Sequence, residues 1–263
     1  MAGSAGFGAP AEAYDRFVGR YGAALAAGLI GLAGVRPGMR VLDVGCGPGA
    51  LTVQLDDRVG ANGHVAAVEP SEGFAAACRE RVPAADVRVA PAEALPFPDG
   101  SFDAALCQLV VNFMADAEAG VREMARVVRP GGAVAACVWD YAGGMTMLRA
   151  FWDAAREVDL EGASRADEGV VMPWCREGDL EALWRTAGLR DVRGATLDVE
   201  ADYADFDDLW SPLPWGVGPA GAWCASLDLE HQAAVKDALR RRLDIGDGPF
   251  TLPARAWAVV GRA

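Results

Sequence analysis

The stretch "VLDVGCGPG", residues 41–49, decides the fold. Its first four residues are mostly apolar, as in a buried strand. The glycines that follow let the backbone turn tightly and approach a ligand without side chains in the way; they are Gly45, Gly47 and Gly49. A strand followed by such a turn predicts a cofactor site. Gly45, Gly47 and Ala50 also match the G-x-G-x-x-G/A spacing of dinucleotide-binding proteins.

The composition limits the kinds of molecule that the protein is expected to bind. The chain has 263 residues, 52% of them hydrophobic and 23% charged, which is typical of one globular domain with a small elaboration. It carries 24 Lys and Arg against 37 Asp and Glu, a net charge of −13. Such a surface repels phosphate backbones and anionic membranes, so we expect a small-molecule substrate and neither nucleic acid nor membrane as partner.

The sequence shows no signal for export or membrane insertion. The chain has no apolar run of about 20 residues that could span a bilayer, and its start has no basic region followed by an apolar one. We therefore expect a cytoplasmic protein, and we expect it to be a monomer or a homodimer. The six cysteines are scattered without a C-x-x-C pair or zinc spacing, so we expect reduced, mostly buried thiols and no metal site.

Strand and helix patterns alternate through the first half of the chain. Strands are predicted over 40–44, 64–70, 86–90, 102–108 and 132–139, and helices over 12–32, 50–58, 71–81 and 117–128. Alternation at this period predicts an α/β fold with a parallel sheet wrapped on both faces.

The second half changes character. Helices are predicted over 145–158, 179–187 and 230–243, and strands over 189–199 and 254–262. The acidic stretch 159–174 is predicted to be an irregular, mobile loop. Large aromatic side chains suit either a cap over an apolar substrate or the core between added helices; they are Trp139, Phe151, Trp152, Trp174, Trp210, Trp215 and Trp223.

Glu69 closes the second predicted strand, 20 residues after Gly49. The carboxyl ends of neighbouring parallel strands meet at one edge of a sheet, so this carboxylate is expected beside the glycine turn. There it can accept hydrogen bonds from both ribose hydroxyls of an adenosine.

Four motifs occur together: "VLDVGCGPG", "VEPS" (68–71), "PAEALPFPDGSFD" (91–103) and "EMARVVRPGG" (123–132). In this order and spacing they resemble the class I S-adenosylmethionine-dependent methyltransferases, in the branch of the ubiquinone/menaquinone biosynthesis enzymes. The pattern of a dinucleotide-binding site does not include the last two motifs. The segment "YDRFVGRY" (14–21) is similar to the N-terminal helix of that family.

The resemblance implies a Rossmann-like, doubly wound and mostly parallel seven-stranded sheet with an antiparallel last strand and helical cap elements. It divides the chain into an N-terminal lid helix (1–32), an S-adenosylmethionine-binding core (33–145), a helical cap insertion (146–188), and a C-terminal part that completes the sheet (189–263). Fold and cofactor transfer with the resemblance, whereas the substrate does not.

The resemblance also implies cofactor contacts. Asp43, Gly45 and Gly47 would surround the methionine part, and Glu69 the ribose, with Pro70 flanking the adenine. These enzymes usually read G-D-A-E before L-P-F, whereas this chain reads A-P-A-E over 90–93.

At the adenine position, Pro91 brings neither a carboxylate nor an N–H, although Ala92 can offer its backbone N–H and Glu93 keeps the acidic position. Tyr14 and Arg20 would close the site from the N-terminal helix, or simply belong to a helix packed on the core.

Methyl transfer is an in-line displacement that depends on alignment, and a base is needed only when the nucleophile must lose a proton. Gln108 matches the position that lines the methyl-transfer site in the family, although a strand-cap role fits it nearly as well. Asp140 and Tyr141 follow the fifth strand and are the better candidate catalytic groups. His64 and His231 are predicted to lie away from the ligand edge.

Two other functions stay open at this point. An NAD-dependent oxidoreductase agrees only with the ambiguous glycine spacing. A protein that binds S-adenosylmethionine without methylating, for another rearrangement or for regulation, agrees with the missing adenine aspartate and the lack of an evident base.

Overall fold

The first predicted strand lies inside a seven-stranded sheet in the computed structural model, which describes residues 16–263. The strands are β1 (Arg40–Val44), β2 (His64–Glu69), β3 (Asp86–Val89), β4 (Phe102–Gln108), β5 (Val128–Trp139), β6 (Arg190–Tyr203) and β7 (Phe250–Arg262). Their order across the sheet is β3-β2-β1-β4-β5-β7-β6.

Strands β1 to β5 run parallel, and β7 inserts between β5 and β6 antiparallel to both. The predicted mostly parallel seven-stranded sheet with antiparallel pairing at its end is confirmed. Four of the five residues of β1 are buried, as expected for a strand covered on both faces.

The helices connect and cover the strands. They are α1 (Gly22–Ala33), α2 (Ala50–Val59), α3 (Glu72–Arg81), α4 (Ala117–Val127), α5 (Thr146–Val158), α6 (Leu160–Ala166), α7 (Glu168–Val171), α8 (Asp179–Thr186), α9 (Phe206–Trp210), α10 (Gly218–Ser226) and α11 (Leu229–Leu243). Short 3-10 turns occupy Gly19–Tyr21, Val111–Phe113 and Leu213–Trp215.

The acidic stretch 159–174 is not the predicted irregular loop, because it contains α6 and α7. Asp159 caps α6 by accepting from Gly162 N, and Asp167 caps α7 by accepting from Gly169 N. The Asp167 carboxylate is buried and paired with Arg149 and Arg156. The acidic residues that suggested a solvated loop are therefore caps and ion-pair partners of ordered helices.

The aromatic side chains of the second half lie mostly in the core. Trp139, Phe151, Trp152 and Trp210 are buried. Phe151 and Trp152 also contact Trp223, with ring centroids 5.9 and 5.6 Å away. Packing between the added helices therefore explains most of this aromatic area.

All six cysteines are buried free thiols, as predicted. Between residues 16 and 263, no helix has both the length and the apolar character needed to cross a membrane.

Trp184 on α8 joins the second half of the chain to the sheet. It is fully buried, its Nε1–H donates to Val134 O on β5 at 3.0 Å, and its ring packs against Gly261 of β7. Trp257 on β7 makes a natural comparison, because its indole N–H is buried without a partner among the described residues.

We expect Trp184→Phe to lower the free energy of unfolding by about 1–3 kcal/mol, because a buried carbonyl loses its donor. Trp257→Phe removes an N–H that satisfies nothing and should cost clearly less. Denaturant unfolding of both variants measures the difference, and equal losses would contradict the role given to the Trp184 hydrogen bond.

Candidate active site

The glycine turn after β1 is held against β2 by two hydrogen bonds. Gly45 N and Cys46 N both donate to Val68 O, at 2.8 and 3.0 Å. Gly45 has φ +75°, and a Cβ there would lie 2.6 Å from a Val110 methyl carbon. Both the backbone conformation and the available space therefore require glycine at this position.

A cleft of about 630 Å³ lies against this turn, where the carboxyl ends of β1, β2 and β4 meet. This volume is within the usual range for small-molecule sites. Predicted cofactor residues on its wall are Asp43, Gly45, Gly47, Glu69, Pro70, Ala92, Glu93 and Gln108. The structure thus brings together eight of the ten residues predicted to bind the cofactor.

Glu69 lies at the cleft wall beside the glycine turn, as its position at the end of β2 predicts. Its Oε2 accepts from Gly47 N at 3.0 Å and its Oε1 from Ser71 N at 2.9 Å. Burial raises the pKa of Glu69, opposed by these two backbone donors. The carboxylate is held in one orientation and keeps lone pairs for further donors.

Asp43 lies near the end of β1 and lines the cleft. Its Oδ2 accepts from Thr52 Oγ at 2.6 Å, whereas Oδ1 is buried without a partner among the described residues. Burial raises the pKa of Asp43 to about 8, and the neighbouring Cys78 and Glu69 add to the effect. A buried oxygen of this kind fits a ligand that brings a donor, above all a cationic one.

Gln108 supplies a second unpaired acceptor. Its Nε2 donates to Gly22 O at 3.2 Å, which ties α1 to the end of β4 and determines the orientation of the amide. Its Oε1 is buried without a partner within the described part of the chain. Gln108 therefore both anchors α1 and lines the cleft.

The wall formed after β3 carries Pro91, Ala92 and Glu93. Glu93 Oε1 accepts from Asp116 N at 3.1 Å, next to the start of α4. Glu93 thus anchors the loop that follows the cleft as well as lining it.

Arg20 is not placed as the lid prediction requires. Its guanidinium donates to both carboxylate oxygens of Asp208 at 3.2 Å and to Asp202 O at 2.8 Å. It also stacks 4.1 Å from the ring centroid of Tyr203, and it does not line the cleft. The predicted cofactor contact of Arg20 is therefore corrected to anchoring of the N-terminal segment on β6. Tyr14 lies outside the described residues.

Asp140 also has a role other than the predicted catalytic one. Its carboxylate accepts from Gly143 N at 3.1 Å and from Gly144 N at 2.8 Å, which closes the turn after β5. Asp140 lines neither the large cleft nor the cavity next to it. Both oxygens serve the backbone because the turn follows directly after the strand.

Tyr141 lines that second cavity, which has a volume of about 50 Å³. The second cavity shares the side chains of Leu109 and Phe113 with the large cleft. The other residues around it are Phe17, Val18, Trp139, Leu148, Glu168, Val217, Gly218 and Pro219. The sequence does not single out Glu168, because this residue lies in the acidic stretch 159–174 that is predicted to be an irregular loop.

Neither histidine lies at the cleft. His64 begins β2, at the opposite edge of the sheet, and His231 is exposed on α11 with its ring bonded to Asp228. Over residues 16–263, no group of three or more His, Cys, Asp or Glu side chains is arranged to hold a metal ion.

Comparison with known proteins agrees with this geometry. Residues 42–136 match a family described as a methyltransferase domain. A relative in Stenotrophomonas maltophilia, the ubiquinone/menaquinone biosynthesis C-methyltransferase UbiE, is 38% identical over 109 residues. The match covers 39% of this chain and 43% of that relative, so the chain matches less than half the length of this curated protein.

Solved structures extend the fold comparison to most of the chain. The YcgJ protein of Bacillus subtilis superposes with a TM-score of 0.56 at 17% identity, covering 90% of this chain and 97% of that one. The [4+2]-cyclase SpnF superposes with a TM-score of 0.57 at 19% identity, covering 90% and 79%. The shared fold is therefore present in proteins of different named activities. The family resemblance seen in the motifs is confirmed by the match of residues 42–136 to the methyltransferase domain and by the UbiE relative.

The geometry of Arg20 leads to a test against its predicted role. We expect Arg20→Ala to lower the free energy of unfolding by about 1–3 kcal/mol, because it removes charge-assisted hydrogen bonds and a stacked cation. Affinity for S-adenosylhomocysteine, measured by calorimetry, should stay within twofold of wild type.

Arg16→Ala is the control, since Arg16 is more exposed and lies 3.6 Å from the same carboxylate. It should lose less stability than Arg20→Ala. A large loss of affinity in Arg20→Ala, with stability unchanged, would restore the lid role.

Proposed function

We propose that this chain, whose residues 42–136 form a class I S-adenosylmethionine-dependent methyltransferase domain, transfers a methyl group to a small apolar or aromatic molecule. The strongest support is that Asp43 and Gln108 line the cleft with Glu69 and that each has a buried oxygen without a partner among the described residues. The unpaired acceptors suit the donors of an amino-acid head, and Glu69 suits the hydroxyls of a ribose.

The residues present fit this cofactor. Asp43 Oδ1 would accept from the ammonium of the methionine part, and the backbone at Gly45 and Gly47 leaves room for a close approach. Glu69 would accept from the ribose hydroxyls, with Pro70 against the adenine. S-adenosylmethionine supplies an electrophilic methyl group on a sulfonium.

The adenine end differs from the usual family pattern. Pro91 stands where a carboxylate is common, so recognition there depends on the backbone of Ala92 and on apolar contact with neighbours such as Phe74. We therefore expect the site to select adenine less through polar contacts than a site with a carboxylate at this position would.

Charge at the site favours a substrate without negative groups. Among the described residues that line the cleft and the second cavity there is no Lys, Arg or His, whereas Asp43, Glu69, Glu93 and Glu168 are acidic. An anionic substrate would find no counter-charge in such a site. Leu148 and Glu168 line the second cavity and belong to the predicted cap insertion 146–188. This insertion would cover the side of the site where the substrate that accepts the methyl group binds.

A second function has a specific observation in its favour. The same fold carries a [4+2]-cyclase, so binding of S-adenosylmethionine does not by itself require methyl transfer. Consumption of the cofactor in the presence of substrate separates methylation from a non-methylating reaction or a regulatory role.

The cofactor assignment is tested by calorimetric titration with S-adenosylhomocysteine and, separately, with NADH. We expect micromolar binding of the first ligand alone. Glu69→Ala should weaken it at least tenfold, because the ribose hydroxyls lose a charged acceptor.

Glu72→Ala is the matched control, since Glu72 lies three residues further along, on α3, and is exposed. It should bind like wild type. Preference for NADH, or unchanged affinity in Glu69→Ala, would overturn the cofactor assignment.

The pKa of Asp43 makes a prediction about pH. With the Asp43 pKa near 8 in the free protein, the carboxyl is mostly protonated below that pH, whereas an ammonium binds best to its ionised form. Affinity for S-adenosylhomocysteine should therefore rise as the pH is raised from 6 to 8, by up to about tenfold per pH unit.

Asp43→Asn cannot ionise, so its affinity should be lower at pH 8 and should depend much less on pH. Glu69 titrates in both proteins, and the difference between the two pH profiles therefore isolates Asp43. Parallel profiles would argue against an ammonium at Asp43.

A further inference from the structure

Glu168 is a buried carboxylate in an otherwise apolar cavity. Its side chain is 3% exposed, and its neighbours around the second cavity include Trp139, Leu148 and Pro219. Placing a carboxylate in such surroundings costs several kcal/mol unless it is paired. A carboxylate at this position, next to the proposed reaction site, needs an explanation beyond packing.

The carboxylate is held firmly in place. Trp152 Nε1–H on α5 donates to its Oε2, and Ala220 N on α10 donates to its Oε1 at 3.0 Å. The adjacent Gly169 has no room for a side chain, because a Cβ there would lie 2.7 Å from Tyr141 O. Helix α7 is therefore pressed against the end of β5, at the same edge of the sheet as the cleft.

The two arginines of this region pair with Asp167 and not with Glu168. Arg149 and Arg156 both pair with Asp167, and in the part of the chain that the structure describes no ion pair joins Glu168 to a cation. Burial, with a smaller contribution from Asp167, raises the pKa of Glu168 to about 7. The group can take up and release a proton near neutral pH, as general bases do.

The second cavity is too small for a whole metabolite. At about 50 Å³ it holds a polar group or the edge of a ring, whereas the large cleft has about 630 Å³. Because the two share Leu109 and Phe113, a ring lying against these side chains can extend a substituent towards Glu168.

We propose that the acceptor is a hydroxylated aromatic ring and that Glu168 accepts the proton of its hydroxyl group, an inference that depends on the proposed methyltransferase function. A phenol suits this base better than an aliphatic alcohol, because phenolic pKa values lie near 10. An amine that is already neutral can attack without a base, and a carboxylate would meet no Lys, Arg or His among the described residues that line the site.

The step balances as follows. The hydroxyl proton moves to a Glu168 oxygen, the phenolate forms a new bond to the methyl carbon, and the carbon–sulfur bond breaks with its electron pair going to sulfur. The products are the methylated phenol, S-adenosylhomocysteine and protonated Glu168, which returns its proton to solvent. Attack from oxygen gives an ether directly; after attack from a ring carbon, the ring hydrogen moves to the oxygen and the phenol is restored.

The test compares wild type, Glu168→Gln and Glu161→Gln in methyl transfer to 4-methylphenol and 4-nitrophenol. Glu161 is an exposed residue of α6 and serves as the control. S-adenosylhomocysteine formation is followed by mass spectrometry, and affinity for this product by calorimetry.

We expect wild type to methylate both phenols. Glu168→Gln should lower the rate at least 100-fold with 4-methylphenol, which needs a base, but less than tenfold with 4-nitrophenol, which ionises near neutral pH by itself. Affinity for S-adenosylhomocysteine should stay within twofold, and Glu161→Gln should behave as wild type.

Equal losses with both phenols would show a structural role and overturn the proposal. Wild type that binds S-adenosylhomocysteine but methylates neither phenol would overturn the hydroxyaromatic class alone. Failure to bind this product at all would overturn the proposed function itself.

If Glu168→Gln does not fold, the pH dependence of the wild type decides. Asp167 and Cys175 are the titratable neighbours of Glu168, and Tyr141 lines the same cavity. Arg149 and Arg156 are both paired with Asp167. At saturating S-adenosylmethionine, where the titration of Asp43 no longer limits cofactor binding, the rate with 4-methylphenol should therefore rise with pH to a plateau above about pH 7, as Glu168 ionises. A rate independent of pH between 5.5 and 8 would reject Glu168 as the base.

Discussion

The carbonyl of Val68 holds the site together. It accepts from both Gly45 N and Cys46 N, so the turn after β1 is attached to the end of β2. The next residue along β2 is Glu69, which consequently meets Gly47 N at 3.0 Å. The parallel register of the two strands, with Val44 beside Val68, thus determines where the glycine turn ends and where the Glu69 carboxylate lies.

Around this turn the protein keeps buried polar groups that are incompletely paired or lie in apolar surroundings. Among the described residues, Asp43 and Gln108 each have one buried oxygen without a partner. Glu168 holds a carboxylate in a mostly apolar cavity, where Trp152 and Ala220 donate to it. Each such group costs about 1–3 kcal/mol or more when nothing satisfies it. Residues kept at that cost are concentrated at the edge of the sheet where ligands bind in α/β folds, as expected when binding supplies the missing partners.

The second half of the chain adds a small cavity beside the large cleft. Helices α5, α7 and α10 meet at Glu168 through Trp152 and Ala220, while β7 and Trp184 attach the second half of the chain to the sheet. This part lies beyond the segment matched by the methyltransferase family, and the relatives therefore say little about it.

The sequence alone determined the parallel sheet, the glycine turn and the position of Glu69, because apolar periodicity and glycine sterics act over a few residues. Only the tertiary structure decided the partners of charged groups. Arg20 pairs with Asp208, which lies 188 positions further along the chain. Asp167 and Glu168 look like solvated acids until α5 and α10 enclose them. Burial and pairing depend on segments that are distant in sequence, and local patterns therefore cannot distinguish a capping acid from a base at a reaction site.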